Sequence, residues 1–114
     1  MNTIHLTARA AIHEGKLEEF KALAAECKQK VREKEPGTLQ YDWFLNGDQT
    51  ECVVLEAYRD SAAVLQHITN LGPTLQAILS LGDWAFELFG SPTPELLKAA
   101  EGLTLKVYSP LQSI

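Results

Sequence analysis

The chain has 114 residues, the length of one ordinary globular domain. It is 46% hydrophobic and 22% charged, which favours a packed core over disorder, and two cysteines are too few for a disulfide framework. Fifteen acidic against ten basic residues give a net charge of −5, which argues against a nucleic-acid binder. Because the start does not resemble a signal peptide and no apolar run could span a bilayer, we expect a soluble, cytoplasmic protein without membrane contacts.

The first two predicted elements are a strand and a long helix. Residues 4–12 alternate between apolar and polar side chains, which predicts a strand with one apolar face. Apolar residues then recur at steps of three and four, at Leu17, Phe20, Ala24, Cys27 and Val31. This spacing predicts a helix from about residue 16 to residue 34, which Pro36 and Gly37 end.

A β-hairpin follows. Residues 38–46 and 51–59 have strand-like apolar patterns, and the Asn46-Gly47-Asp48 turn signal separates them. Because Gln49 and Thr50 are also polar, we expect a loop of more than two residues.

The second half of the chain repeats the helix and strand pattern. Asp60 or Ser61 can cap a helix, Gly72-Pro73 interrupts it, and residues 74–81 resume as a short helix. A fourth strand is predicted over residues 84–89. Thr93-Pro94 begins a further short helix that ends near Gly102, and residues 103–108 alternate as a fifth strand.

The element order β-α-β-β-α-β predicts the α+β class, as a ferredoxin-like plait with both helices on one face of an antiparallel sheet. We expect a single domain over residues 1–114, with its core in residues 1–90 and a helix-strand extension in residues 91–114.

The predicted sheet is apolar on both faces. Phe44 lies opposite Tyr41 and Trp43, and Val53 and Leu55 alternate with other apolar residues. Since the helices cover one face only, the other would be an exposed apolar patch unless a second copy covers it. We therefore expect a homodimer through the sheet face. The fifth strand is expected to pair at a sheet edge and contribute to that dimer.

Several segments together resemble the antibiotic biosynthesis monooxygenase or quinol monooxygenase family of dimeric α+β barrels. The matching segments are His13-Glu14-Gly15-Lys16 with Leu17-Glu18-Glu19-Phe20, Glu35-Pro36-Gly37-Thr38-Leu39-Gln40-Tyr41, Glu56-Ala57-Tyr58-Arg59-Asp60 and Val64-Leu65-Gln66-His67. They lie in residues 4 to about 90, so the role of residues 91–114 is open.

The resemblance implies a dimeric barrel and, in part of the superfamily, cofactor-free oxidation of quinols or polycyclic aromatics. A haem-degrading branch has an Asn near the end of the first strand and a Trp before the helical His. This chain has no Asn in residues 4–12 and no Trp between Tyr58 and His67. That branch is therefore disfavoured.

His67 is the first candidate catalytic residue. It lies three residues after Val64 and four before Leu71, on the apolar side of a predicted helix. A histidine there could deprotonate an acidic phenol, and the resemblance favours that role; the alternative is a core histidine satisfied by one hydrogen bond. His5 and His13 are expected to be exposed.

Glu56 is the second candidate, because a carboxylate within an apolar strand needs a partner. It could orient His67 or bind a substrate hydroxyl. Equally, it could form an ion pair with Arg9 or be exposed near the end of the sheet.

Five aromatic side chains could bind a flat substrate or simply fill the core. They are Tyr41, Trp43, Tyr58, Trp84 and Phe86. Cys27 and Cys52 are expected to be structural. No metal-ligand spacing, phosphate loop or dinucleotide motif appears, so we expect neither a metal nor a cofactor.

Two functions remain open at this stage. One is a cofactor-independent monooxygenase that oxidises a small phenolic or quinol-type aromatic with O2. The other is a non-catalytic ligand-binding or interaction module on the same dimeric fold. A fully packed sheet-helix interface would favour the module, and a cavity beside His67 would favour the enzyme.

Overall fold

The computed structural model describes residues 2–114. The elements are β1 (Ile4–Ile12), α1 (Leu17–Lys34), β2 (Thr38–Leu45), β3 (Glu51–Tyr58), α2 (Ser61–Leu71), α3 (Pro73–Leu79), β4 (Gly82–Phe89), α4 (Pro94–Ala99) and β5 (Leu105–Tyr108). This order confirms the predicted α+β plait with an added C-terminal helix and strand.

The strands form one sheet in the order β2-β3-β1-β4-β5. β1 pairs antiparallel with β3 and β4, and β2 pairs antiparallel with β3. β5 pairs parallel with β4, so the extension lengthens the sheet of its own chain. Over residues 2–114 the sheet stays open, with β2 and β5 at its edges, and one chain does not close a barrel.

Capping and turn residues set the boundaries of the helices. Asp60 caps α2 because its Oδ1 accepts a hydrogen bond from the Ala63 N–H at 2.9 Å. Gly72, at φ +49°, then turns the chain into α3, which begins at Pro73 and ends at Leu79. The helix predicted over residues 74–81 is therefore wrong at its end, because residues 80 and 81 lie beyond α3.

β5 is shorter than predicted. We expected a strand from residue 103, but the pairing with β4 begins at Leu105. Gly102 has φ +91°, and the Leu103 N–H donates to the Ala100 carbonyl at 3.1 Å. Residues 100–103 therefore form a turn, which an alternating pattern of side chains does not reveal.

The β2–β3 connection is longer than two residues, as predicted. Asn46 organises it, because its Oδ1 accepts the backbone N–H groups of Thr50 and Glu51, both at 2.9 Å. The Asn46 side chain thus supplies, in place of strand-to-strand hydrogen bonds, the acceptor that backbone N–H groups at this connection would otherwise lack.

The helices pack on one face of the sheet and bury two apolar clusters. The larger cluster centres on Phe20, whose ring lies 5.8 Å from Trp84 and 6.2 Å from Trp43, measured between ring centroids. The smaller cluster joins Ile4 and Tyr58 to α2 and to Leu96 of α4. Cys27 and Cys52 are buried in the larger cluster, as expected of structural cysteines.

The opposite face carries no helix in the described chain. In the strand register, Phe44, Val53 and Leu55 share this face with Thr7 and Arg9. Phe44 is 53% exposed and Leu55 36% exposed. The face is thus a mixed apolar and polar surface, which we call the open face. No helix among residues 2–114 is long and apolar enough to cross a membrane.

Truncation of the buried Phe20 side chain should destabilise the fold without removing any polar group. Phe20 is 1% exposed, and Phe20→Ala would leave a cavity between two tryptophans. We expect a loss of about 3–5 kcal/mol in the free energy of unfolding, measured by urea denaturation. Leu111→Ala, at a 96% exposed position, is the control and should change it by less than about 0.5 kcal/mol. Equal effects of the two changes would contradict this account of the core.

Candidate active site

A cavity of about 90 Å³ lies between the sheet and the covering helices. Its walls are mostly apolar, and they come from all five strands and from α1, α2, α3 and α4. Among the 20 lining residues, the only histidine and the only acidic residue are His67 and Glu56. A cavity of this composition, with a few convergent polar groups, is typical of a small-molecule site.

His67 projects from α2 into the core, as its position on the apolar side of the helix predicted, and is 6% exposed. Its Nδ1 lies 2.8 Å from Oε1 of Glu35, at the end of α1. A carboxylate can only accept this bond, so Nδ1 carries the hydrogen and Nε2 is the basic nitrogen of the neutral ring. His5 and His13 are exposed, as expected.

Glu35 is held as a carboxylate by several donors. Besides His67, Asn70 Nδ2 donates to its Oε2 at 2.7 Å and Thr38 Oγ1 donates to its Oε1 at 2.7 Å. Burial raises the pKa of Glu35, but the hydrogen bonds from His67 and Asn70 outweigh burial and hold that pKa below its ordinary value of 4.5. Glu35 is therefore ionised at neutral pH.

Glu56 lies on the helix-covered face of β3, beside Leu6 of β1 and Tyr41 of β2. It is 8% exposed, so the expectation of an exposed position is wrong. An ion pair with Arg9 is also wrong, because Arg9 lies on the open face, 3.8 Å from Glu87. Nor does Glu56 hold Nδ1 of His67, since Glu35 does so.

The surroundings of Glu56 favour its protonated form. The Tyr58 hydroxyl donates to its Oε1. Burial raises the pKa of Glu56, and this effect outweighs the opposing influence of His67 and of the Tyr58 hydroxyl. The site thus holds two buried carboxyl groups, Glu35 and Glu56, whose pKa values shift in opposite directions.

Four of the five aromatic candidates line the cavity: Tyr41, Trp43, Trp84 and Phe86. Tyr41 packs edge-on against His67 with 5.1 Å between ring centroids, and Trp84 and Phe86 stack at 5.9 Å. Tyr58 does not line the cavity. It is fully buried, and its hydroxyl contacts Glu56 instead.

Trp43 carries a buried hydrogen-bond donor without a partner in residues 2–114. Its indole Nε1 is buried and finds no acceptor within the part of the chain that the structure describes. A buried donor without a partner is costly, so an acceptor atom on a ligand would gain free energy by pairing with it.

Cys27 lines the cavity beneath Tyr41, but its chemistry is unfavourable for catalysis. Burial raises the pKa of this thiol to about 11, so it is protonated at neutral pH and is a poor nucleophile. Across residues 2–114, no group of three or more His, Cys, Asp and Glu side chains could hold a metal ion.

Sequence reasoning missed Glu35 as a site residue. It follows the last turn of α1 and precedes Pro36, so it has the sequence signature of a helix end. The available signal was its place in the Glu-Pro-Gly segment that carried the family resemblance. Its contact with a histidine 32 residues later depends on how α1 and α2 pack.

The two carboxyl groups predict opposite effects of pH on stability. The ionised form of Glu35 is favoured by folding, so its contribution is present above pH 4.5 and lost as the pH falls through its lower folded-state pKa. The protonated form of Glu56 is favoured by folding, so its contribution to stability is present below pH 4.5 and lost as the pH rises to its higher folded-state pKa.

Glu35→Gln should therefore lower the free energy of unfolding by about 1–3 kcal/mol at pH 7 and by less at pH 3.5. Glu56→Gln should gain stability relative to wild type as the pH rises from 4.5 to 8.

Urea denaturation at one protein concentration, followed by tryptophan fluorescence across this pH range, measures both differences. If the two variants drift from wild type in the same direction with pH, the opposite assignment of the two carboxyl groups is wrong.

Comparison with known proteins agrees with this architecture. The sequence profile of the family described as antibiotic biosynthesis monooxygenase matches residues 3–71. A comparison with curated protein sequences finds no match.

Solved structures are similar over most or all of the chain. MupZ from Pseudomonas fluorescens is 26% identical, with a TM-score of 0.79 over 100% of this chain and 94% of its own. SnoaB from Streptomyces nogalater, a cofactor-independent oxygenase, is 19% identical, with a TM-score of 0.68 over 82% of this chain and 96% of its own. A putative antibiotic biosynthesis monooxygenase from Caulobacter crescentus is 23% identical, with a TM-score of 0.68 over 76% of this chain and 87% of its own.

The likeness to SnoaB and to the Caulobacter protein shows a shared fold. The family profile adds a sequence match over more than half of the chain, and it includes β1, Glu35, Glu56 and His67. The chain therefore belongs to the antibiotic biosynthesis monooxygenase family.

Proposed function

We propose that this protein is a cofactor-independent monooxygenase that oxidises a small phenolic or quinol-type aromatic with O2. The observation that carries the proposal is the cavity beside His67, in which a histidine oriented by a buried carboxylate meets apolar and aromatic walls. The same observation supports an enzyme over a non-catalytic binding module, because the sheet-helix interface is not fully packed.

In the first step, Nε2 of His67 takes the proton of the substrate hydroxyl. Glu35 stabilises the imidazolium that forms, since its carboxylate already accepts the Nδ1–H bond. The product of this step is an electron-rich aromatic anion in an apolar cavity, where a charge-delocalised ring is favoured over a small, localised anion.

In the second step, the anion reduces O2 and a ring carbon forms a bond to oxygen, which gives a hydroperoxide. The O–O bond then breaks, one oxygen atom stays on the ring as a carbonyl, and the other leaves as water with a proton from His67 and the hydrogen of the ring carbon. The substrate supplies all four electrons, so phenol and O2 give quinone and water. Glu56, whose pKa is raised by burial, can in its protonated form donate a hydrogen bond to the developing oxygen charge.

Loss of the base should lower the rate sharply. We expect His67→Ala to remain folded but less stable, because Glu35 keeps its donors Asn70 and Thr38 but loses His67. It should lose about 10²-fold or more in kcat, measured as oxygen uptake with a phenol or quinol that the wild type turns over. The reaction should proceed without added metal or flavin. His13→Ala, at an exposed histidine, is the matched control and should keep full activity.

Either of two results would overturn the mechanism. One is a wild-type enzyme that needs added flavin or metal, and the other is full activity in His67→Ala. Glu35→Gln separates the roles further, because a positioning residue should lower kcat and change its pH profile while leaving KM nearly unchanged.

We also propose that the protein works as a homodimer in which two open faces pack together. Support comes from the exposed apolar side chains of that face, Phe44 and Leu55 among them, and from the dimeric barrel that the family resemblance implies. The cytoplasmic location expected from the sequence stays a prediction.

A charge in the open face should weaken the dimer. In sedimentation at micromolar concentration, wild type should have about twice the chain mass, and Leu55→Asp should shift toward the monomer because it would bury an unpaired carboxylate. Leu111→Asp, outside the sheet, should leave the mass unchanged. A monomeric wild type, or a dimer insensitive to Leu55→Asp, would contradict this interface.

A further inference from the structure

The C-terminal extension forms a wall of the cavity, although it lies outside the segment that defines the family. The family profile ends at residue 71, and two of the structural relatives cover only 76% and 82% of the chain. Four residues of the extension nevertheless line the cavity: Leu96, Ala100, Leu103 and Leu105. The shape of this end of the site is therefore set by residues outside the family segment, and MupZ, which is similar over 100% of the chain, is a relative that extends over them.

The extension is fixed to the fold at three points. Leu96 of α4 is 2% exposed and packs in the cluster of Ile4 and Tyr58. The Thr93 N–H donates to Oγ of Ser61 at 3.1 Å, at the start of α2, and the Phe86 N–H donates to the Thr104 carbonyl at 2.8 Å. A wall held by packing and hydrogen bonds keeps a defined position relative to His67.

Leu103 lies where the cavity reaches the surface. It lines the cavity and is also 37% exposed, so one side of it meets solvent. The turn through Gly102 and the hydrogen bond to the Ala100 carbonyl hold it there. A larger or smaller side chain at this position would change the room available to a ligand without disrupting a buried core.

The lining is polar at one side of the sheet and apolar at the other. Glu56 on β3 and Tyr41 on β2 lie toward one edge, with His67 above them. Phe86 on β4 and Leu105 on β5 lie toward the other edge. From β3 to β5 is three strand spacings, or roughly 14 Å.

We propose that the extension selects an elongated, amphipathic substrate: an ionisable hydroxyl at His67 and Glu56, joined to an apolar body that runs across β1 and β4 and ends against Leu103 and Leu105. This inference rests on the proposed function in placing the reacting hydroxyl at His67. The free cavity of about 90 Å³ is smaller than the 300–1,000 Å³ of most ligand sites, so side chains at its surface end, Leu103 among them, would limit the length of the substrate body.

The test is a series of para-alkylphenols, from phenol to para-octylphenol, with Kd measured through the fluorescence of Trp43 and Trp84, which both line the cavity. In wild type, each added methylene should tighten binding about fourfold until the chain reaches the wall, where the gain stops. Leu103→Ala removes three carbons from the wall, so the gain should continue for about two to three more methylenes. Leu103→Trp should stop it earlier.

Leu97→Ala is the matched control, because Leu97 lies on α4 and is 43% exposed but does not line the cavity. It should leave the chain-length limit unchanged. The proposal is overturned if the limit is the same in wild type and both Leu103 variants, if binding does not depend on chain length, or if Leu97→Ala shifts the limit as much as Leu103→Ala does.

Oxygen uptake on the same series separates this inference from the proposed function. If no phenol is turned over but the limit moves with residue 103, the substrate-length inference stands and the monooxygenase assignment fails. If phenols are turned over but the limiting chain length does not change in the Leu103 variants, the monooxygenase assignment stands and the substrate-length inference fails.

Discussion

The bond between Glu35 and Nδ1 of His67 is the contact on which the site depends. It joins the end of α1 to the middle of α2 across 32 residues of sequence, and it is buried, with both side chains at most 8% exposed. An uncompensated carboxylate in that position would be strongly unfavourable, so the donors from Asn70 and Thr38 are needed to hold it ionised. The same contact fixes the tautomer of His67 and so decides which nitrogen can act as a base.

Glu56 differs from Glu35 because its surroundings raise its pKa, whereas those of Glu35 lower the pKa. Glu35 accepts hydrogen bonds from His67, Asn70 and Thr38, whereas among the described residues Glu56 accepts one, from Tyr58. Groups whose pKa values are driven apart can take different roles at one pH. Ionised Glu35 can stabilise a protonated His67 from behind the cavity wall, whereas the raised pKa of Glu56 favours a proton donor on that wall. In the proposed reaction, His67 would take a proton from one substrate oxygen and Glu56 would stabilise charge on another.

The sequence predicted the fold well because the fold depends on local patterns. Alternation gave the strands, steps of three and four gave α1 and α2, and the interruption at Gly72-Pro73 marked the start of α3. The errors lie at the turn through Gly102 and at the end of α3, where backbone hydrogen bonds decide the boundary. For the site, the helical pattern placed His67 in the core. It could not identify Glu35 as the partner, because that contact depends on the angle at which α1 and α2 cross the sheet.

The two faces of the sheet would separate the proposed chemistry from the proposed dimer interface. His67 and Glu56 lie on the helix-covered face, whereas Phe44 and Leu55 lie on the open face of the same strands. Because side chains alternate along a strand, alternate residues of each strand can be suited to opposite faces of the sheet. The cost falls on the helix-covered face, where a cavity and the unpaired N–H of Trp43 forgo packing and hydrogen bonding that a core would otherwise make. A ligand that fills the cavity and accepts from Trp43 recovers both, so substrate binding should stabilise the fold in proportion to the apolar surface it brings.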